Sequence, residues 1–136
     1  MGNVIKLSQQ HEHNLRKLAE YLLRPELKAK FDMVAYSDWD HDDYSVECGT
    51  IGCAAGHGPH AGIPKYDSET WSQYITRVFG LNIVASTIAW RWCFDADWER
   101  TDNTPVGAAK RILWLLHNGV PQNWHDIMYK EEPIPY

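Results

Sequence analysis

The chain has 136 residues, with 18 Asp and Glu against 13 Lys and Arg for a formal net charge of −5, and it is 44% hydrophobic with seven Trp and seven Tyr. That size and aromatic content suit one packed core and exclude a polar disordered chain. The expectation is a mainly α, single compact domain over residues 1–136. It has about five or six helices, a short extended segment and an acidic loop, and residues 1–7 and 131–136 are flexible ends.

No run of about 18 apolar residues marks a membrane helix, and Met1 to Gln10 lacks the apolar stretch of a signal peptide. A cytoplasmic protein without a membrane partner is therefore expected. Three cysteines, an odd number, make a poor disulfide framework and fit a reducing compartment. Between Phe31 and Pro64 lie six carboxylates (Asp32, Asp38, Asp40, Asp42, Asp43, Glu47) and no Lys or Arg. Such a stretch repels a phosphate backbone, which disfavours nucleic-acid backbone binding. It suits a solvated loop, or a surface for a basic partner.

In chain order, Leu15, Leu18, Leu22 and Leu23 fall at helical spacing and predict a first helix, which Pro25 stops. Phe31 to Val34 reads as the extended segment, and Tyr36 to Glu47 as the acidic loop. Thr50 is a plausible N-cap for a short helix from Ile51 to about His57, ended by Gly58-Pro59. Gly52, Ala54, Ala55 and Gly56 leave this helix almost without bulk, so its backbone can approach a neighbouring helix or a ligand closely.

A further helix is expected from about Glu69 to Phe79, capped by Ser68 or Asp67 and ended by Gly80. Ser86 to Arg100, with Ile88, Trp90, Trp92, Phe94 and Trp98, reads as short helical turns. Thr104 as a cap and Pro105 at the first helical position start a long helix to about His117. Its expected inward face is Val106, Ala109, Leu113 and Leu116, widened by Ile112 and Leu115. A last helix should run from Gln122 to Tyr129.

Reactive residue types crowd only between Cys48 and His60. Three readings compete there. In the first, Cys48, Cys53, His57 and His60 are zinc ligands, although the Cys-x4-Cys spacing is wider than in common zinc sites. In the second, a hydrolase uses Cys53 as nucleophile with His57 as its base. In the third, the cysteines are small buried hydrophobes, the glycines allow close packing, and His57 makes an ordinary buried hydrogen bond. A variant of the third uses free N–H groups around Gly49, Thr50 and Gly52 to hold an anion.

Asp38-x-Asp40-x-Asp42 opens like a calcium loop. Asp43 then stands where glycine is needed and Gly49 where glutamate is needed, so a solvated loop is the better reading. Cys93, between Trp92 and Phe94, reads as a core thiol. Trp90, Trp92, Phe94 and Trp98, with Trp114 and Trp124 later, offer rings for stacking, most of the indoles being expected in the core with one or two at a pocket rim near Arg91 or Arg100. Arg91, like Arg100 and Arg111, offers charge for an anionic ligand.

Leu18-Ala19-x-Tyr21-Leu22, Phe31-Asp32-Met33, Cys48-Gly49-Thr50-x-x-Cys53-x-x-Gly56-His57, Trp71-x-x-Tyr74 and Asp102-Asn103-Thr104-Pro105 together resemble an uncharacterised family of small phage, prophage and bacterial proteins. The resemblance implies a phage accessory role. It also implies that Trp can stand at the His57 position, which speaks against an obligatory ligand or base there.

The functional expectation is a non-catalytic accessory protein without a cofactor. It binds a host protein or a small anionic ligand, nucleotides included, with Gly49, Thr50, Gly52, His57, Trp90, Arg91 and Trp92 as contacts. The alternative is the cysteine- or zinc-dependent hydrolase centred on Cys48, Cys53 and His57.

Overall fold

The Ser8 hydroxyl accepts the His11 N–H and starts α1 (Gln9–Leu22), which buries Leu15, Leu18, Ala19 and Leu22 along one stripe. Leu23, expected in that stripe, is the C-cap and lies exposed, because the helical turn ends before it can face inward. The protein is seen here in a computed structural model that describes residues 7–25, 54–82, 84–95, 97–98, 101–102 and 104–130. The expected extended segment and acidic loop lie outside the described residues.

Two short 3-10 turns follow, Ala55–His57 and Pro59–Ala61. Pro59, expected to stop a helix, instead opens the second turn, where its missing N–H costs nothing. α2 (Trp71–Phe79) starts two residues later than expected. Thr70 and Gln73 form a reciprocal capping box, while the Glu69 carboxylate accepts the Tyr66 N–H and belongs to the preceding turn. Gly80 ends α2 at φ 70, a left-handed conformation in which a side chain would also run into the His11 ring. His11 and Asn14 from α1 reach the Arg77 and Val78 carbonyls there, which docks the start of α1 onto the end of α2.

α3 (Thr87–Phe94) turns the aromatic segment into one helix that buries Ala89, Trp90, Trp92, Cys93 and Phe94. α4 (Pro105–Asn118) has the expected Thr104 cap and leading proline, and α5 (Trp124–Lys130) follows. α1 packs mainly on α4, with α2 and α3 on either flank of that pair. One core joins all of them, from Leu15 and Tyr74 to Trp92, Trp98, Ile112 and Ile127. Each large apolar side chain sealed there contributes about 1.5–3 kcal/mol. The chain is thus mainly helical, as its sequence predicts. Among the described residues, no helix is long and apolar enough to cross a membrane.

The inward face of α4 matches expectation at Ala109, Ile112 and Leu115 and departs from it at Val106, Leu113 and Leu116. Gly107, Ala108, Ala109, Arg111, Ile112 and Leu115 are buried, whereas Val106 is 41% exposed and Leu113 and Leu116 are only half-buried. Apolar residues ring most of this helix, so periodicity alone cannot choose which arc turns inward. The buried arc includes Arg111, at 0% exposure, which a hydropathy pattern assigns to solvent. Its guanidinium lies 4.3 Å from the Trp98 ring centre, faces the Asp102 carboxylate at 3.6 Å and donates to the Asp102 carbonyl at 3.3 Å.

Candidate functional site

The sequence points to two places, and the structure separates them and adds a third. The first is the bare segment. Ala54, Ala55, Gly56, His57 and Gly58 are all buried. The Tyr74 hydroxyl donates to the Ile63 carbonyl beside Gly58, where any Cβ would strike that hydroxyl. This close approach is helix against turn, with Tyr74 of α2 pressed on the segment. Burial also raises the Tyr74 pKa above the usual tyrosine range.

His57 is 4% exposed, with the Tyr21 and His60 rings each centred 6.0 Å away. His60 itself is exposed. Cys48, Gly49, Thr50, Gly52 and Cys53 lie outside the described residues. Neither the zinc set nor the Cys53–His57 pair can be assembled from the described residues, among which no cluster of three metal-binding side chains occurs.

The second place joins the end of α3 to α5. Arg91 donates from Nε to Asp95 at 2.9 Å and from Nη2 to the Tyr129 hydroxyl, which in turn donates to Asp97. Its guanidinium also lies 4.9 Å from the Trp124 ring centre. Burial alone works against the Arg91 charge, but Asp95 and Tyr129 outweigh it and the pKa rises. For Tyr129, partial burial and donation to Asp97 push the pKa up to about 12. One carboxylate and a phenol thus hold Arg91, with the Asp97 carboxylate beyond that phenol, and an incoming anion would have to displace them.

Trp90 is buried, at 6% exposure. Trp92 is wholly so, its N–H donating to the Arg111 carbonyl at 2.9 Å and its ring centred 5.3 Å from that of Trp98. A ring without an exposed face offers nothing to stack on, so Trp92 builds the core. Cys93, at 0% exposure, is a core thiol as expected, with burial pushing its pKa up to about 12. The half-buried indole near Arg91 is instead Trp124, from another helix.

The third place escaped the sequence reading as a site. Val106, Lys110, Leu113, Trp114 and His117 recur at i, i+4, i+7, i+8 and i+11 and form the outer stripe of α4. Lys110, Leu113, Trp114, His117 and Asn118 line a shallow depression of about 290 Å³, walled almost entirely by carbon. Lys110 and His117 are exposed, while Leu113 and Trp114 have one side on the core and one side bare. The signal that could have found this stripe is the second apolar arc on α4, which the expected inward face absorbed.

No protein-family model, curated protein or solved structure matches the chain.

Proposed function

We propose that the chain is a non-catalytic accessory protein of the phage type that holds a host protein against the outer stripe of α4, in the cytoplasm of a bacterial host. The carrying observation is the position of Val106, Leu113 and Trp114 on an arc of α4 that the core leaves partly exposed. A half-exposed tryptophan beside aliphatic side chains, in a depression rimmed by polar groups, has the make-up of a binding hot spot. The phage assignment rests on the sequence resemblance given above.

Of the two ligand classes expected, a protein has more support than a small anion. Arg91, the expected anion contact, is engaged by Asp95 and Tyr129 with Asp97 close by. Trp92 has no open face. The hydrolase alternative has its nucleophile outside the described residues, and Tyr74 packs against its histidine-bearing segment as against a structural turn.

A photoreactive residue at position 106, on the same stripe, with position 20 on the exposed side of α1 as control, tests the proposal in bacterial cells. The expected result is one discrete adduct from 106 and none from 20. The captured protein, once identified and purified, should bind the intact chain and lose at least about tenfold in affinity to Trp114→Ala. Equal adducts at both positions, or binding indifferent to Trp114, would contradict it.

A further inference from the structure

With seven residues, α5 is too short to hold a helix by itself, since isolated helices of fewer than about 12–15 residues are marginal in water. Its order therefore depends on docking. It buries two side chains in the core, Ile127 and Met128, where α2 buries five. Polar ties add to this from the end of α3 and the residues just beyond it. Arg91 meets α5 at both ends, its guanidinium 4.9 Å from the Trp124 ring centre and its Nη2 donating to the Tyr129 hydroxyl. That hydroxyl donates onward to Asp97, and the Thr101 hydroxyl donates to the Met128 carbonyl at 2.7 Å. From this arrangement we infer that α5 is a strap, able to leave the body formed by α1 to α4 as one unit while that body stays folded, with the Arg91–Tyr129–Asp97 relay as its fastening.

The helical hydrogen bonds of α5, such as the Ile127 N–H to the Asn123 carbonyl at 3.0 Å, last only while the docking does, so α5 comes away and melts together. α1 packs directly on α4 and α2, and α3 directly on α4, so none of those pairings passes through α5. Solvent reaches Arg91, Asp97 and Tyr129, and water can take over each bond of the relay as it opens. Opening the strap therefore costs less than unfolding the core. Release bares Ile127, Met128 and the core surface under them, an apolar face that the chain can present without unfolding its body. It requires no partner on the outer stripe of α4.

Amide hydrogen exchange, read by NMR on the full chain well below the denaturant midpoint, provides the test. The amides of 127–130 should exchange through one shared opening, at least about tenfold faster than the slowest amides of α1 and α4. Tyr129→Phe keeps the ring but breaks both bonds of the hydroxyl, and should lower protection at 127–130 by at least about fivefold. Ile75→Val trims a buried side chain of α2, in the body, and should speed the slowest α1 and α4 amides by about two- to tenfold. That variant should leave 127–130 unchanged, because a strap that opens ahead of the body does not sense the body's stability. The inference is overturned if 127–130 exchange no faster than the slowest body amides, follow those amides in Ile75→Val, or keep full protection in Tyr129→Phe. An absence of measurable protection at 127–130 also overturns it, since α5 would then not be fastened at all.

Discussion

On its inner arc α4 buries Ala108, Ala109, Ile112 and Leu115 around Arg111, whose side chain meets the Trp98 ring and Asp102. On its outer arc Val106, Leu113 and Trp114 alternate with Lys110 and His117 and keep one side bare. The inner arc places a charge where apolar residues are expected, and the outer arc does the reverse. A buried arginine is tolerable where a carboxylate, a carbonyl and an aromatic face replace its water. Leu113 and Trp114 pack one side against the core, but that packing leaves the other side of each apolar and bare. The difference teaches that residues breaking the inside–outside rule need separate physical accounts, packing for Arg111 and, under the proposed function, binding for Trp114.

Substitutions can break this contrast, the largest effect being expected in the core. Trp92→Ala removes a wholly buried ring together with its N–H bond to the Arg111 carbonyl. It should cost about 3–5 kcal/mol in urea unfolding. A cost below about 1 kcal/mol would mean that Trp92 is not packed as described. Next, Asp102→Asn keeps the shape but removes the charge facing Arg111. It should cost about 2 kcal/mol, measured in the same way.

The smallest effect concerns the other end of α3. The Tyr129 pKa is raised to about 12 in the fold, against about 10 for a free tyrosine. The group therefore contributes stability that is complete below pH 10 and lost as pH climbs through 12. Phenolate absorbance should show a late-ionising tyrosine that Tyr129→Phe removes from the titration. Tyr74, also raised by burial, should remain among the late ionisers in that variant.

Much of the fold was legible, because it is written in local chemistry. Thr104-Pro105 states where α4 begins, and Leu15, Leu18 and Leu22 state which side of α1 turns inward. The start of α2 was misread because Glu69, a good first-turn residue, is held by the Tyr66 N–H and by Arg77 at 2.6 Å instead. The rotation of α4 was hidden because its apolar residues cover more than one arc. The choice depends on α1, Trp98 and Asp102, which are remote or differently typed in sequence.

The sites fared differently. Cys93 could be read as buried from its aromatic neighbours, and Arg91 as lying near a tryptophan. The indole there proved to be Trp124, 33 positions further along the chain, brought in where Arg91 meets Trp124 and Tyr129 of α5. Trp90 and Trp92 could not be told from surface rings, because a stacking platform and a core filler have the same composition.

The two arcs of α4 are compared most directly by Trp114→Ala, with urea unfolding and crosslinking from a photoreactive residue at position 106 measured on the same preparations. The account predicts a stability loss below about 1 kcal/mol together with disappearance of the host-protein adduct. A loss of several kcal/mol, or an adduct that persists undiminished, would show that Trp114 serves the core and that the outer stripe is not where the partner binds.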